Sequence, residues 1–276
     1  MIPLKDNIPT DRFPIVTVLI IVINVMVFLF FQGASLSGEQ VKEKPLLEYG
    51  MIPYRVTHPG KECTIARPPT TDIPGAEALV CEGTPDYRQA VQSGATLEKL
   101  DEGPSWLTIF TSMFMHGGWL HIIFNMLFLW IFGNNVEDSM GKLRFTFFYV
   151  IGGVVAALAQ VAVNADSTAP TVGASGAIAA VLGGYLLLYP RARVLTIVFI
   201  FFFFTFIELP AMLLLGIWFV LQFLPAVGQL ASPDVANQGG IAYFAHVGGF
   251  LCGLALIHLF AKRRSKHYGE PPYPVY

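Results

Sequence analysis

A serine in a turn of small residues is the first group in this chain whose position suggests chemistry. Ser175 lies in Gly173-Ala174-Ser175-Gly176, a turn that opens an apolar segment running to Tyr189. A serine hydroxyl is a weak nucleophile until a base takes its proton. The other polar residues within apolar segments are therefore the candidates for a base and for oxyanion donors.

His246 is the candidate base, in the last long apolar segment. Small residues share its helical face, and others follow Ser175 at helical spacing. These are Ala242, Gly249 and Gly253 beside His246, and Ala179 and Gly183 after Ser175. Because small residues let membrane helices approach closely, the short serine side chain can reach the histidine. No Asp or Glu lies at a matching depth, which predicts a dyad rather than a triad.

The oxyanion of a tetrahedral intermediate also needs hydrogen-bond donors. The backbone N–H of Ser175 is at the start of a predicted helix, where amides are unpaired and the helix dipole favours an anion. His121 and Asn125 are four residues apart on one face of an earlier segment. They offer a ring N–H and a side-chain amide, so we predict these three groups as the donors.

Each of these residues also has a plain structural interpretation. Ser175 alone is a helix N-cap, and His121 and Asn125 alone are groups that hydrogen-bond between helices. His246 alone is a structural residue or a metal ligand. A zinc site needs three or four ligands, and no Cys or acid completes a set of His116, His121 and His246. We expect no metal and no cofactor.

The composition is that of an integral membrane protein. The 276 residues are 54% hydrophobic and 13% charged, whereas soluble domains carry about 25% charged residues. The net charge of −2 gives no indication of a nucleic-acid partner, and none is expected. The partner expected from this composition is the lipid bilayer, and no oligomeric state is predicted.

Six membrane spans are predicted from runs that approach the roughly 20 apolar residues needed to cross a bilayer. A polar N-terminal segment (1–12) precedes a six-span domain (13–261), and a polar flexible tail (262–276) follows. Residues 194–204 are predicted as a membrane-embedded loop or the start of a tilted helix, and residues 136–144 as a tight loop. The predicted spans are 13–31, 119–132, 145–163, 175–189, 206–224 and 241–261.

Basic residues set the predicted orientation, because they favour the cytoplasmic side. With six spans, all four basic groups and both chain ends lie in the cytoplasm. The groups are Lys5/Arg12, Lys142/Arg144, Arg191/Arg193 and Lys262/Arg263/Arg264/Lys266. The four candidate site residues then share the outer part of the membrane. A helix from Ser175 to Tyr189 is about 22 Å long in a core of about 30 Å. If Tyr189 and Arg191 mark the inner surface, Ser175 lies about 8 Å below the outer one.

The polar segment 32–105, between the first two spans, is predicted to lie outside the cytoplasm. Its prolines disfavour long helices, and residues 46–52 and 87–97 are predicted as short amphipathic pieces. Cys63 and Cys81 lie in it, 18 positions apart. They pair if the segment faces an oxidising compartment; the alternative is two unpaired thiols.

Three motifs resemble those of the rhomboid family of intramembrane serine proteases. They are His121-Ile-Ile-Phe-Asn125 (HxxxN), Gly173-Ala-Ser-Gly176 (GxSG) and Ala245-His246-Val-Gly-Gly249-Phe-Leu-Cys-Gly253 (AHxxGxxxG). The resemblance implies an all-α bundle of six spans with a long external loop between the first two. It implies Ser175 as nucleophile, His246 as general base and then acid, and His121, Asn125 and the Ser175 amide as oxyanion donors. Gly173, Gly249 and Gly253 are then structural.

The resemblance also raises secondary expectations. Glu137 and Arg144 are similar to a structural motif of the family and are interpreted as an ion pair that connects helices. Some members carry an aromatic residue four positions after the serine, stacked on the histidine, where this chain has Ala179. Substrate is thought to enter beside the fifth span, where Glu208 and Pro210 suggest a hinge.

The resulting prediction is a multi-pass endopeptidase that cleaves peptide bonds in or next to transmembrane segments of other proteins. Its expected location is a cell membrane, specifically a bacterial inner membrane, with the active site open to the extracytoplasmic side. One rival is a catalytically silent relative, which should lack the serine or the histidine. The other is a transporter or channel, which usually shows internal repeats that are not seen here.

Overall fold

The computed structural model describes residues 1–35, 41–69, 77–101, 103–200, 202–231 and 240–262. The predicted tail lies outside them except for Lys262. The N-terminal half contains β1 (Ile2–Asp6), α1 (Ile15–Met26, extended by a π-turn Val27–Phe31), α2 (Glu43–Tyr49), α3 (Pro53–Thr57), β2 (Cys63–Arg67), β3 (Ala78–Cys81), α4 (Pro85–Gln92), β4 (Thr96–Lys99) and α5 (Ser105–Thr111).

The C-terminal half is dominated by long helices. These elements are α6 (Trp119–Phe128), α7 (Asn134–Met140), α8 (Lys142–Val163), α9 (Ser175–Leu188), β5 (Arg193–Ile200), β6 (Phe203–Pro210), α10 (Ala211–Ala231) and α11 (Tyr243–Phe260). A π-turn, Leu129–Gly133, joins α6 to α7 without a break.

Four of the helices are long and apolar enough to cross a membrane. They are Trp119–Met140, Lys142–Val163, Ala211–Leu230 and Tyr243–Phe260. Two shorter apolar helices, Ile15–Phe31 and Ser175–Leu188, coincide with the first and fourth predicted spans. The chain is a mostly helical membrane protein, which confirms the predicted all-α class only in part.

The boundary between the second and third spans was predicted wrongly. The helix that begins at Trp119 does not end near Gly133 but continues to Met140, and α8 begins at Lys142, so residues 136–144 are not a loop. Gly133 lies within the π-turn, and a left-handed glycine, Gly141 (φ +82°), separates α7 from α8. Asn and Gly residues after an apolar run are a stop signal, and here that signal was misleading.

The region before α10 is a β-hairpin, which corrects the prediction of an embedded loop or tilted helix at 194–204 and of a helix from 206. Strands β5 and β6 pair antiparallel, from Arg193 opposite Pro210 to Ile200 opposite Phe203. Strand β1 pairs with β5 on its other side. The segment is rich in β-branched and aromatic residues, which favour strands, but apolar periodicity alone does not separate a short strand from a helix.

Glu208 and Pro210 therefore have a different setting from the predicted hinge within a span. Glu208 is in β6, where a carboxylate oxygen lies 3.5 Å from Nη1 of Arg193 on the paired strand. Pro210 is the last residue of that strand, immediately before α10 begins at Ala211. The fold is consequently not all-α: β5 and β6, which connect α9 to α10, form a small sheet with the N-terminal strand β1 in the order β1-β5-β6.

Glu137 and Arg144 connect helices, but they have different partners and do not form the expected ion pair. Buried Glu137 accepts hydrogen bonds from Val16 N (3.0 Å) and from Thr17 N and Oγ1 (both 2.8 Å) at the start of α1. An anion is stabilised at such a helix N-terminus. Arg144 Nη1 donates to the carbonyl of Phe260, at the end of α11 (3.0 Å).

Helix α9 is the centre of the bundle, and close packing with α11 fixes the relation between them. Eleven residues of α9 are buried, including the whole run from Gly176 to Tyr185. A Cβ at Gly249 would collide with the carbonyl oxygen of Gly176, and one at Gly253 with that of Ala180. The two helices thus approach at backbone distance, as the small-residue rows predicted.

The polar segment between α1 and α5 has a fold of its own. Strands β3, β2 and β4 form an antiparallel sheet in that order, and a disulfide joins Cys63 of β2 to Cys81 of β3. Both sulfur-bearing side chains pack with Ile52 and Tyr54. The short helices α2 and α4 overlap the two amphipathic pieces predicted at 46–52 and 87–97.

Candidate active site

Ser175 and His246 meet between α9 and α11. Ser175 is the first residue of α9, and Oγ lies 2.8 Å from Nε2 of His246, in the first turn of α11. Both side chains are half-buried. The distance is that of a short hydrogen bond between a hydroxyl and a ring nitrogen, so a proton can pass directly between the two groups.

Gly173 gives the turn before α9 its shape. It has a φ of +125°, a conformation that residues with a side chain rarely adopt. A Cβ there would lie 2.7 Å from Nε2 of His121 and 3.5 Å from Oγ of Ser175. Its own N–H donates to the carbonyl of Ser112 (2.9 Å). Because Gly173 has no side chain, the His121 ring and the Ser175 hydroxyl can both lie close to its Cα.

His121 and Asn125 line the same site from α6. The N–H of Gly117 donates to Nδ1 of His121 (3.3 Å), which makes Nδ1 an acceptor and leaves the ring proton on Nε2, the atom next to Gly173. Nδ2 of Asn125 donates to the His121 carbonyl (2.8 Å) and keeps a second N–H. Both side chains can therefore donate toward an anion beside Ser175.

One cavity of about 540 Å³ contains all four of these side chains. Its remaining walls are mostly apolar. They include Leu120, Phe124, Phe128, Ile178, Leu182 and Trp218. A space of this size admits an extended piece of polypeptide and water, while its walls favour apolar side chains.

Residues on α10 surround the far side of His246, and the sequence analysis missed them. Oε1 of Gln222 lies 2.8 Å from Nδ1 of His246, and the Trp218 ring has its centroid 6.0 Å from the imidazole. From α8, Oε1 of Gln160 accepts from the N–H of Ala245 (3.3 Å). Gln222 lies within the predicted fifth span (206–224), and a polar residue in an apolar span is itself a signal of function.

The structure brings together some of the predicted residues and separates others. Ser175, His246, His121, Asn125 and Gly173 form one cluster, and Gly249 and Gly253 hold the helices behind it. Glu137, Arg144 and the cysteine pair belong to other parts of the chain. Among the described residues, no group of three or more His, Cys, Asp or Glu side chains is placed to hold a metal ion.

Comparison with known proteins identifies the class. The model of the rhomboid domain matches residues 103–263, more than half of the chain. The chain belongs to the rhomboid family, and it is a multi-pass membrane protein.

Several relatives share part of the chain. Rhomboid protein 1, mitochondrial, of Saccharomyces cerevisiae is 30% identical over 158 residues, covering 54% of this chain and 40% of the yeast protein. RHOMBOID-like protein 5 of Arabidopsis thaliana is 30% identical over 174 residues, covering 63% and 50%. The rhomboid protease GluP of Bacillus subtilis is 34% identical over 104 residues, covering 38% and 20%. The chain thus spans half or less of the length of these relatives.

Proposed function

We propose that this protein is an intramembrane serine endopeptidase that uses Ser175 as nucleophile and His246 as general base. The observation that carries the proposal is the 2.8 Å contact between Ser175 Oγ and His246 Nε2 inside a cavity that also holds two further donors. Membership of a family in which relatives are named proteases supports the same reaction class.

The reaction follows from the placement of these groups. His246 Nε2 takes the proton of Ser175 as Oγ attacks the carbonyl carbon of the scissile peptide. The resulting oxyanion accepts hydrogen bonds from the Ser175 N–H, His121 Nε2–H and the free N–H of Asn125. His246 then gives its proton to the leaving amine. Water, deprotonated by His246, attacks the ester and releases the acid, so no cofactor is required.

The proposed substrates are transmembrane proteins. The apolar cavity walls suit residues from a membrane segment, and the scissile bond must leave helical structure to reach Ser175 Oγ. Substrates with small or helix-weakening residues near the cleaved bond should therefore be preferred.

We further propose six spans, with Ile15–Phe31 and Ser175–Leu188 joining the four longer helices. The grouping of basic residues supports cytoplasmic ends and a site open to the opposite side. The proposed location is a cell membrane, specifically a bacterial inner membrane. The relatives include proteins named mitochondrial and chloroplastic and one from a bacterium.

Labelling with a fluorophosphonate probe tests the proposal without knowledge of the natural substrate. The purified protein should be labelled at Ser175, and both Ser175→Ala and His246→Ala should abolish labelling. Labelling of the wild type at another residue, or unchanged labelling of Ser175→Ala, would refute the assignment.

A further inference from the structure

We infer that Gln222 is the positioning residue for His246. Because Gln222 lies on α10, the Ser175–His246 dyad is then active only while α10 is packed against α11. This inference rests on the proposed function. Some rhomboid family members have an aromatic residue at the position of Ala179, which is a buried alanine here. The contact between Gln222 and His246 would position the histidine in its place.

The first step concerns the proton on the imidazole. The carbonyl oxygen of Gln222, Oε1, lies 2.8 Å from Nδ1 of His246. A carbonyl oxygen only accepts, so Nδ1 carries the proton and Nε2 is left with its lone pair toward Ser175. That is the tautomer that can accept the serine proton, and the same contact stabilises the imidazolium formed during attack.

The second step concerns the orientation of the ring. Ala179 is too small to stack on the imidazole, and α10 supplies the contact instead. Trp218 lies one turn before Gln222, with its ring tilted by 38° to that of His246 and its centroid 6.0 Å away. Residues four apart share a helix face. One face of α10 therefore holds His246 both by a hydrogen bond and by an aromatic ring.

The third step concerns α10 itself. Phe219 and Trp218 pack on Phe250 of α11, with ring centroids 4.7 and 5.9 Å apart. Another face of the helix is exposed, with the side chains of Met212, Leu213, Val220, Leu221, Phe223, Leu224, Val227 and Leu230. Pro225, three residues after Gln222, removes a backbone donor from the helix. A helix attached on one side and weakened at this level can move away from α11, and Gln222 would leave with it.

The test uses a near-isosteric pair of substitutions in the full-length protein. Gln222→Met keeps the side-chain length but has no carbonyl acceptor, and Gln222→Glu keeps an acceptor and adds charge. We expect Gln222→Met to slow fluorophosphonate labelling of Ser175 about 10- to 100-fold, which is a part of the roughly 10²- to 10⁴-fold that general-base catalysis contributes. The matched control is Leu221→Met, at an exposed neighbouring position, which should label at the wild-type rate.

The pH profile separates positioning from a general structural defect. A carboxylate beside Nδ1 favours the imidazolium, so Gln222→Glu should move the acidic limb of the labelling profile to higher pH. His121 is the other ionisable side chain among the described residues that line the cavity. Repeating the comparison in a His121→Asn background must give the same displacement if it arises at His246.

A double-mutant cycle of Phe219→Ala and Gln222→Met tests whether the packing of α10 against α11 acts through Gln222. Phe219→Ala removes a ring that stacks on Phe250, whereas the aromatic ring of α10 that pairs with His246 is Trp218. If α10 acts through Gln222, Phe219→Ala should slow labelling in the wild type and have little further effect in Gln222→Met. Independent effects that multiply would contradict the coupling.

The outcomes distinguish this inference from the proposed function. Wild-type labelling at Ser175 together with wild-type rate and pH profile in Gln222→Met would overturn the inference and leave the protease assignment intact. Absence of Ser175-dependent labelling in the wild type would overturn both. Equal thermal unfolding temperatures for Gln222→Met and Leu221→Met confirm that a slow rate reflects the site and not the fold.

Discussion

Met51 and Thr171 exchange both of their backbone hydrogen bonds, at 3.0 and 2.8 Å. This pair joins the segment after α1 to the loop that leads into Ser175. Tyr54 N adds a bond to the carbonyl of Ser167 (3.0 Å), and Tyr54 packs with the Cys63–Cys81 disulfide. The disulfide-containing sheet is thereby connected to the turn that carries the candidate nucleophile.

Removal of the disulfide should weaken this connection. We expect Cys63→Ala/Cys81→Ala to lower the free energy of unfolding of this segment by about 2–4 kcal/mol, the range for a loop of this length. Fluorophosphonate labelling of Ser175 should slow several-fold, because the loop before it loses support. Thermal unfolding and labelling rates are the measurements.

Cys252→Ala is the control, since Cys252 is a free cysteine of α11. It should not change either quantity. Alkylation without reductant at both Cys63 and Cys81 of the wild type would contradict the pairing itself.

A methyl group at Gly173 should disrupt the site. Gly173→Ala would force a left-handed backbone onto alanine and place Cβ 2.7 Å from Nε2 of His121. We expect labelling of Ser175 to fall at least 10²-fold, about the loss caused by removing one oxyanion donor.

Gly117→Ala is the matched control for that substitution. Its Cβ would lie 3.8 Å from Nδ1 of His121, an ordinary contact, and its backbone N–H is retained. Comparable losses in both variants would show that the steric account of Gly173 is wrong.

The close approach of α9 and α11 gives a prediction about stability. In Gly253→Ala, the added Cβ would collide with the carbonyl of Ala180, so the helices must separate and the unfolding temperature should fall. Gly216→Ala in α10 meets no atom within 4 Å, and helix propensity should leave stability unchanged or raise it by up to about 1 kcal/mol. Equal melting curves for the two variants would contradict the packing described.

The buried carboxyl of Asp6 should make the free energy of unfolding depend on pH. Burial raises the pKa of this carboxyl from 3.8 to about 6, although it accepts hydrogen bonds from Tyr185 Oη (2.6 Å) and Asn135 Nδ2 (2.7 Å). Between about pH 4 and pH 6 the folded state holds more protons than the unfolded state. The protonated Asp6 carboxyl therefore contributes about 3 kcal/mol to the free energy of unfolding below pH 4. This contribution is lost as the pH rises through 6.

Thermal unfolding of wild type and Asp6→Asn across pH 4 to 7.5 isolates this effect. Asparagine stays neutral, so the wild type should lose stability relative to the variant as the pH rises. A constant difference between the two proteins would mean that Asp6 does not titrate in this range.

Much of the bundle could be predicted from the sequence because membrane helices carry strong, continuous apolar signals. The helix from Ser175 was predicted to within one residue at its end, and His121, Asn125, Ser175 and His246 share one cavity as expected. The small-residue rows also predicted the close contact of α9 with α11.

The remainder depended on tertiary contacts that no local pattern contains. The hairpin of β5 and β6 is as apolar as a span, and pairing with β1, about 190 residues earlier in the chain, distinguishes it from a helix. Glu137 lies near Arg144 in the sequence but binds the start of α1 instead. No Asp or Glu lies at the depth of His246 in the sequence, and the partner of its Nδ1 is a neutral amide on α10, Gln222.

Cleavage of a transmembrane substrate by the purified protein tests the central claim most directly. The substrate is incubated in detergent or proteoliposomes with the wild type, Ser175→Ala, His246→Ala and the control Leu221→Met, and the products are identified by mass spectrometry. We predict cleavage in or next to the membrane segment by the wild type and the control, and none by the other two variants. Cleavage that persists in Ser175→Ala would contradict the account.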